Sequence, residues 1–270
     1  MNSKVTIITP AYNVANYIGE AIDSVLGQSY SNWELIIIDN NSSDNTEQVI
    51  KSYDDERIIY LKESQQGVSF ARNRGLNQMT GQFLCFLDAD DLLTPNSLSD
   101  RLKEFGEDPA LSFVDGQVQF IDRDGKMIPG GYSPKFKGEP FSRLMLLDST
   151  CFFGPTWMIK REWGQEYRFD EKMTHSEDLA FYLGIAKNRK YSYTDEVILH
   201  YRKSGGSAMS NLDGLERGYC QLLAQMRQDY PNDYSPLTKL KVMKIMFLSH
   251  LFDGKSMLKA IKALVTVSKS

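Results

Sequence analysis

Three aspartates within four positions, Asp88, Asp90 and Asp91, close the stretch FLCFLDADD at residues 83–91. Carboxylates so crowded repel one another, and such a cluster usually persists because a cation that prefers oxygen lies among them. Two other clusters carry hydrogen-bonding groups. One is Thr9-Pro10-Ala11-Tyr12-Asn13, which includes an aromatic ring, and the other is Asp39-Asn40-Asn41-Ser42-Ser43-Asp44. Far along the chain, Ser176-Glu177-Asp178 precedes an apolar stretch and reads as a capped helix start with acids in the first turn.

Each of the first three clusters follows an apolar run, which says what must position it. Residues 4–9, 34–38, 57–61 and 83–87 read as strands, and 15–26, 45–53 and 68–79 as helices. Four strand–helix repeats in order predict an α/β domain with a doubly wound, mostly parallel sheet, whose ligands gather at the carboxyl ends of the strands. The clusters would then converge on one crevice. A nucleoside diphosphate needs all three: a ring against its base, acceptors for its N–H and hydroxyl groups, and a divalent cation across its phosphates.

Thr94-Pro95 predicts a cap and a helix over about 95–105. Residues 111–121 and 127–128 flank the turn Asp122-Arg123-Asp124-Gly125, and 156–160, 191–193 and 197–201 are further short strands. From 235 to 270 seven lysines face a single acid, Asp253. Leu240, Met243, Phe247 and Leu251 recur at helical spacing, as do Leu258, Ile261 and Val265. Two basic amphipathic helices meeting at Asp253-Gly254 are expected, either packed on the domain or lying on an anionic membrane surface.

The 270 residues are 41% hydrophobic, 24% charged and 11% aromatic, with a net charge of -4. That balance suits a folded domain and gives no sign of a nucleic-acid partner. Cys85, Cys151 and Cys220 are odd in number and widely spaced, as in a protein of the reducing cytosol. MNSKVTIITPAYN enters a strand pattern without a leader signature, and no apolar stretch has spanning length, so a cytoplasmic protein is expected.

TPAYN, SVLGQ (24–28), ELIIIDNNSSDNT, GVSFARNRGLN, FLDADD and SEDLAFYL, in this order, resemble the inverting family 2 glycosyltransferases of the GT-A fold, within the nucleotide-diphospho-sugar transferase superfamily. The likeness covers residues 4–207. It implies a Rossmann-like domain over 1–207 with a mostly parallel central sheet and flanking helices, followed by a helical extension over 208–270. It also implies a donor pocket from Pro10, Ala11, Tyr12, Asn13, Asp39, Asn40, Arg72, Asp88, Ala89, Asp90 and Arg202. Within it Tyr12 would lie on the base, Asp39 and Asn40 would hold base and ribose, and Arg202 would approach the diphosphate. Asp90 with Asp88 would bind Mn²⁺ or Mg²⁺, and Asp178 would be the catalytic base. Apart from the resemblance, the residues leave Glu177 as a capping partner or an acid that orients the acceptor, and Trp157, Met158 and Trp163 as an acceptor-side wall or part of the core.

The implied reaction moves a sugar to a hydroxyl of a glycan or lipid-linked saccharide in surface polysaccharide synthesis; the basic C-terminal helices, apart from the resemblance, would place it on the inner face of the cell membrane. Many relatives carry a second aspartate where this chain has Asn40, which leaves the donor open among UDP-, dTDP- and GDP-sugars, with UDP favoured. A DxDxT phosphohydrolase would need Thr at Leu92, and a calcium loop would need Gly at Leu93. The non-enzymatic alternative is an inactive relative that binds nucleotide or glycan.

Overall fold

The computed structural model describes residues 3–162, 164–203, 211–252 and 257–269. Through the first half the expected alternation holds, as β1 (Val5–Ala11), α1 (Ile18–Leu26), β2 (Trp33–Asp39), α2 (Thr46–Lys51), β3 (Ile58–Lys62), α3 (Val68–Leu76) and β4 (Phe83–Phe86). The four strands run parallel in the order β3-β2-β1-β4. β1, β2 and β4 are buried at nearly every residue, as strands covered on both faces must be. Alternate side chains feed two cores. Ile8, Ile36, Ile38, Leu84 and Phe86 join one, and Ile7, Leu35, Ile37, Phe83 and Cys85 the other.

Glu34 is the polar exception within β2. Its buried carboxylate accepts from Thr6 Oγ1 (2.6 Å), Thr80 N (2.7 Å) and Thr80 Oγ1 (2.7 Å), and pairs with Lys4 at 2.7 Å. Gly75 brings α3 onto the sheet, since a Cβ there would stand 2.6 Å from Ile8 Cγ2. Arg72, three residues earlier on α3, is thereby carried to the strand ends.

The second half continues with β5 (Leu92–Leu93), α4 (Ser97–Glu107), β6 (Leu111–Ile121), β7 (Met127–Tyr132), α5 (Phe141–Met145), β8 (Met158–Lys160), α6 (Glu177–Ala186) and β9 (Lys190–Arg202). β8 pairs antiparallel with β4 and extends the sheet through β6, β9 and β5, while β7 pairs with β6. The β6–β7 turn forms where expected, with Asp122 Oδ1 accepting from Asp124 N and Lys126 N at 2.9 Å each. The two short strands expected at 191–193 and 197–201 are one strand, β9, whose pairing with β6 shifts register between Asp115 and Gln117 instead of breaking. Residue 94 does not cap α4; Asn96 precedes it, without a side-chain cap bond.

The last helices are α7 (Leu212–Asp229), α8 (Pro236–Phe252) and α9 (Met257–Lys269). Helices form in both expected parts of 235–270, with the expected junction at Asp253-Gly254 outside the described residues, but their packed stripes differ from the expected ones. α8 buries Thr238, Val242, Met246 and His250, whereas Leu240 is 58% exposed; α9 buries Ala263 and Val267 and exposes Ile261 and Val265. Val242, Met246, Ala263 and Val267 form the seam of the two helices with Leu212, Leu215 and Leu223 of α7. α7 serves two cores: Leu222 and Met226 join Trp157 and Phe181, while Leu212, Leu215 and Leu223 join Val242 and Met246. Among the described residues no helix is long and apolar enough to cross a membrane.

Candidate active site

The carboxyl ends of β1 and β4 open onto a cavity of about 1020 Å³. Parallel strands deliver their ends to one edge of a sheet, and the loops leaving that edge form its crevice. Pro10, Ala11 and Tyr12 line it from β1, Asn40 from the end of β2, and Arg72 from α3. Asp88, Ala89 and Asp90 follow β4 onto the same wall, and Glu177 and Asp178 face it from the start of α6. The Tyr12 ring is 50% exposed there.

Asn13 and Asp39 are not on the wall but brace it. Asn13, with φ 51, accepts from Ser43 N on Oδ1 (2.8 Å) and donates its own N–H to Ser42 Oγ (3.1 Å). Asp39 accepts from Ser42 N and the Tyr60 hydroxyl, both at 3.0 Å. The Asn40 amide donates to Glu63 O (3.1 Å) and Gln65 O (2.7 Å) and accepts from Gly67 N (2.7 Å). It therefore shapes the 63–67 loop, and only the second lone pair of its oxygen is left for a ligand.

Arg72 joins the two acidic motifs. Its Nη2 donates to Asp88 Oδ1 (3.1 Å) and its Nη1 to Glu177 Oε1 (3.0 Å), while the guanidinium lies 5.2 Å from the Phe169 ring. The Arg72 side chain is 4% exposed and Glu177 13%, so that pair is shielded from water, whereas Asp88, 35% exposed, is more open to it. Burial pushes the Asp178 carboxyl up to about 7; the charge of Glu177 adds to the rise and Arg72 opposes it. A carboxylate near neutrality in a crevice has the proton affinity that base catalysis favours. Ser176, expected as a helix cap, makes no capping bond, because its backbone is left-handed with φ 60 and lacks the extended geometry that capping needs.

The aspartate cluster divides. Asp88 and Asp90 line the cavity, whereas Asp91 is buried, accepts the N–H of Arg202 (2.8 Å), and is raised well above the usual carboxylate range by burial and by Asp88. Arg202 borders the cavity, yet its side chain is fully buried. Its Nε donates to Asp90 O (2.8 Å), its Nη1 to Arg123 O (2.7 Å), and its Nη2 to Glu20 Oε2 (2.7 Å). Arg202 thus fastens the turn that carries Asp90 while bordering the cavity.

Of the two places open to Trp157, the acceptor side and the core, the structure shows the core. It is fully buried, 4.4 Å from the Tyr182 ring and 4.8 Å from the Tyr191 ring, and donates Nε1–H to Cys151 O (3.0 Å). Met158 is equally buried, and Trp163 lies outside the described residues. The side of the cavity expected to be formed by Trp157 is instead lined by Phe152, Phe153, His175, Leu215 and Tyr219. The spacing Gly214-Leu-Glu-Arg-Gly218, small residues one helical turn apart, was the signal in the sequence for α7.

Among the described residues no three His, Cys, Asp or Glu side chains gather as a metal cage. Asp88 and Asp90 supply hard oxygens on the cavity wall, a set that fits Mg²⁺ or Mn²⁺ held partly by substrate phosphates.

The model of the family described as "Glycosyl transferase family 2" matches residues 6–168. TuaG of Bacillus subtilis, a glycosyltransferase whose name attaches it provisionally to teichuronic acid biosynthesis, is 33% identical over 77% of this chain and 82% of its own. An uncharacterized glycosyltransferase of Rickettsia felis is 30% identical over 94% of this chain, which spans only 42% of that relative's length. In fold the chain is similar to Staphylococcus aureus TarS 1–349 in complex with UDP-GlcNAc, with a TM-score of 0.67 and 20% identity over 97% of this chain and 70% of that one. It is also similar to the mannosyltransferase PcManGT of Pyrobaculum calidifontis in complex with GDP-Man and Mn²⁺, with a TM-score of 0.64 and 19% identity over 99% and 76%.

Proposed function

Because the chain belongs to glycosyl transferase family 2, we propose that it is a metal-dependent inverting glycosyltransferase, acting in polysaccharide synthesis. It would move one sugar from a nucleoside-diphosphate donor to a hydroxyl of a glycan or lipid-linked saccharide. One observation carries this reading: across a single cavity, Arg72 joins Asp88 on the cation side to Glu177 beside the base. The complexes of TarS with UDP-GlcNAc and of PcManGT with GDP-Man and Mn²⁺ support a nucleotide-sugar donor and a divalent cation.

Inversion requires attack opposite the leaving group, so base and diphosphate must flank the anomeric carbon. Tyr12 offers its exposed ring to the nucleobase, and Asn40 holds the adjoining loop in shape. Asp88 and Asp90 would hold the cation, which when bound offsets negative charge on the leaving diphosphate. Asp178 takes the acceptor's hydroxyl proton as the oxygen bonds to the anomeric carbon; the bond from that carbon to the diphosphate breaks, and the nucleoside diphosphate leaves with the electron pair. Arg72 keeps Asp178 ionisable near neutral pH by opposing the effect of Glu177.

A screen of nucleotide sugars for release of nucleoside diphosphate, with Mn²⁺ and with EDTA, tests this. Metal-dependent release is expected with one donor class. Nucleotide binding without turnover on any donor would identify an inactive relative, and undiminished turnover in excess EDTA would remove the cation from the mechanism.

Residues 1–207 are proposed as the catalytic unit and 208–270 as a helical extension. On α8, Leu237 and Leu240, 64% and 58% exposed, stand with Lys241 and Lys244 within two turns, a face suited to an anionic lipid surface presenting a lipid-linked acceptor. Cosedimentation with phosphatidylglycerol vesicles should fall when both leucines are replaced by serine; unchanged sedimentation rejects membrane docking.

A further inference from the structure

The loop carrying Glu177 and Asp178 has an unusual neighbour. A Cβ built on Gly214 would lie 2.3 Å from His175 Cε1 and 2.6 Å from Nε2, and one on Gly218 would lie 2.5 Å from His175 O and 2.7 Å from His175 Cβ. Real Cβ atoms do not approach other atoms so closely. Two glycines one turn apart therefore give α7 a face of bare backbone, and residue 175 is seated against it. The next residue, Ser176, holds its left-handed φ of 60, a conformation that costs a non-glycine residue energy and persists only where the surroundings enforce it.

The approach to this loop is held from the other side by α3. Asn73 Nδ2 donates to Phe169 O (3.0 Å), Asn73 Oδ1 accepts from Phe169 N (2.8 Å), and Ser69 Oγ donates to Met173 O (3.3 Å). The segment running from residue 169 to Asp178 is thus gripped between α3 and α7. α3 lies inside the span matched by the family model and α7 lies outside it. Leu215 and Tyr219, on the same helix as the glycines, line the cavity that Asp178 faces.

We infer that α7 seats the base-bearing loop and that Gly214 and Gly218 are positioning residues for Asp178, an inference that rests on Asp178 being the base. A helix that merely closed the core would be sensitive in stability alone. A helix that sets the base loop must change turnover separately from donor affinity, because Tyr12, Asn40 and the Asp88–Asp90 turn are carried by other elements.

The glycines meet different atoms of His175, which makes the inference testable by a mutant cycle. The methyl of Gly214→Ala meets the imidazole and, at 2.8 Å, Nδ2 of Asn211, the end of a side chain at the start of α7 itself, so adding His175→Ala removes the obstacle that belongs to the base-bearing loop. The methyl of Gly218→Ala meets the carbonyl oxygen and Cβ, both of which alanine keeps. Each variant is assayed in the full chain for kcat, donor KM and thermal midpoint.

Gly214→Ala should lower kcat by about 10²-fold, as small misplacements of catalytic groups do, with donor KM within about twofold of the parent. His175→Ala in the Gly214→Ala background should return kcat to the level of His175→Ala alone, while in the Gly218→Ala background it should restore nothing. If Gly218→Ala fails to fold, the Gly214 pair still decides the matter. A lowered thermal midpoint with unchanged kcat in Gly214→Ala would overturn the inference, and so would equal rescue, or equal lack of rescue, of both glycine variants. Asp178→Asn runs alongside: full transfer by that variant would reject the base assignment itself, whatever the glycine variants do.

Discussion

On the strand side of the cavity, Tyr12, Asn40 and the Asp88–Asp90 turn hang from parallel strands whose backbone ladder and twofold burial fix them. On the helix side, Glu177 and Asp178 hang from a loop held by one buried guanidinium, by α3 amides and by a glycine-faced helix. A ladder spreads its hold over many equivalent bonds, so few single side chains decide it. A clamp concentrates its hold in few atoms, and one substitution can release it. The strand side should therefore lose stability by degrees, and the helix side should lose function abruptly.

The largest effect expected is at the clamp's cargo. Asp178→Asn should lower transfer by roughly 10²- to 10⁴-fold, the usual worth of a general base, while leaving nucleotide affinity in place by calorimetric titration. Its stability should move oppositely. The folded carboxyl is raised from 3.8 to about 7, so the native state prefers it protonated, and ionising it costs stability increasingly as pH rises through that interval. Chemical denaturation should find Asp178→Asn more stable than the parent above pH 7, with the gain vanishing below the ordinary carboxylate pKa; a gain equal at all pH values would contradict the assignment.

Arg72→Met comes next. It leaves Asp88 and Glu177 facing each other without their shared cation, and the half-open Asp88 keeps the loss below the roughly 3–5 kcal/mol of a fully buried broken pair, read by urea denaturation. Its loss also removes the charge that opposes the rise of Asp178, so the acid limb of the pH–kcat profile should move upward from about 7. An unmoved limb would separate Arg72 from the base.

The smallest of the three lies in the strand region. Glu34→Gln should cost about 1.5–3 kcal/mol at neutral pH, the range for hydrogen bonds to a charged group. Burial would raise this carboxyl, but the bonds from Lys4, Thr6 and Thr80 outweigh it and bring it down to about 2. Its contribution is thus fully present above the unfolded value of 4.5 and lost as pH falls through about 2. Parent and variant should converge in stability in strong acid, with kcat unchanged at pH 7.

The same division explains what was legible in the sequence. β1 to β4 announce themselves because each strand is an apolar run ended by a polar cluster, and parallel order then brings the clusters together without knowledge of any side-chain contact. Asp88, Asp90 and Tyr12 reach the wall on that logic, whereas Asp178 comes to it from the start of α6. The surroundings of Trp157 come from α6, β6 and β9 and those of Arg202 from α1 and the turn after β4, and no periodicity reports that Glu20 will meet residue 202. The stripes of α8 and α9 were misread for a similar reason. Hydrophobic spacing says that a helix has an apolar face, but which residues are buried depends on the neighbouring helices, here Val242 and Met246 on α8 and Ala263 and Val267 on α9. Ser176 and Gly214 belong to the same class, since their meaning lies in a contact between segments.

The tie between Arg202 and the acidic turn has a consequence for the order of biosynthesis. Asp91 and Asp90 are fastened by a residue 111 and 112 positions downstream. A nascent polypeptide leaving the ribosome carries its four parallel strands well before it carries the arginine that sets the turn at their end. Chains translated only as far as β8 therefore own the scaffold of the catalytic edge without its finished cradle, and competence arrives as a late event of translation.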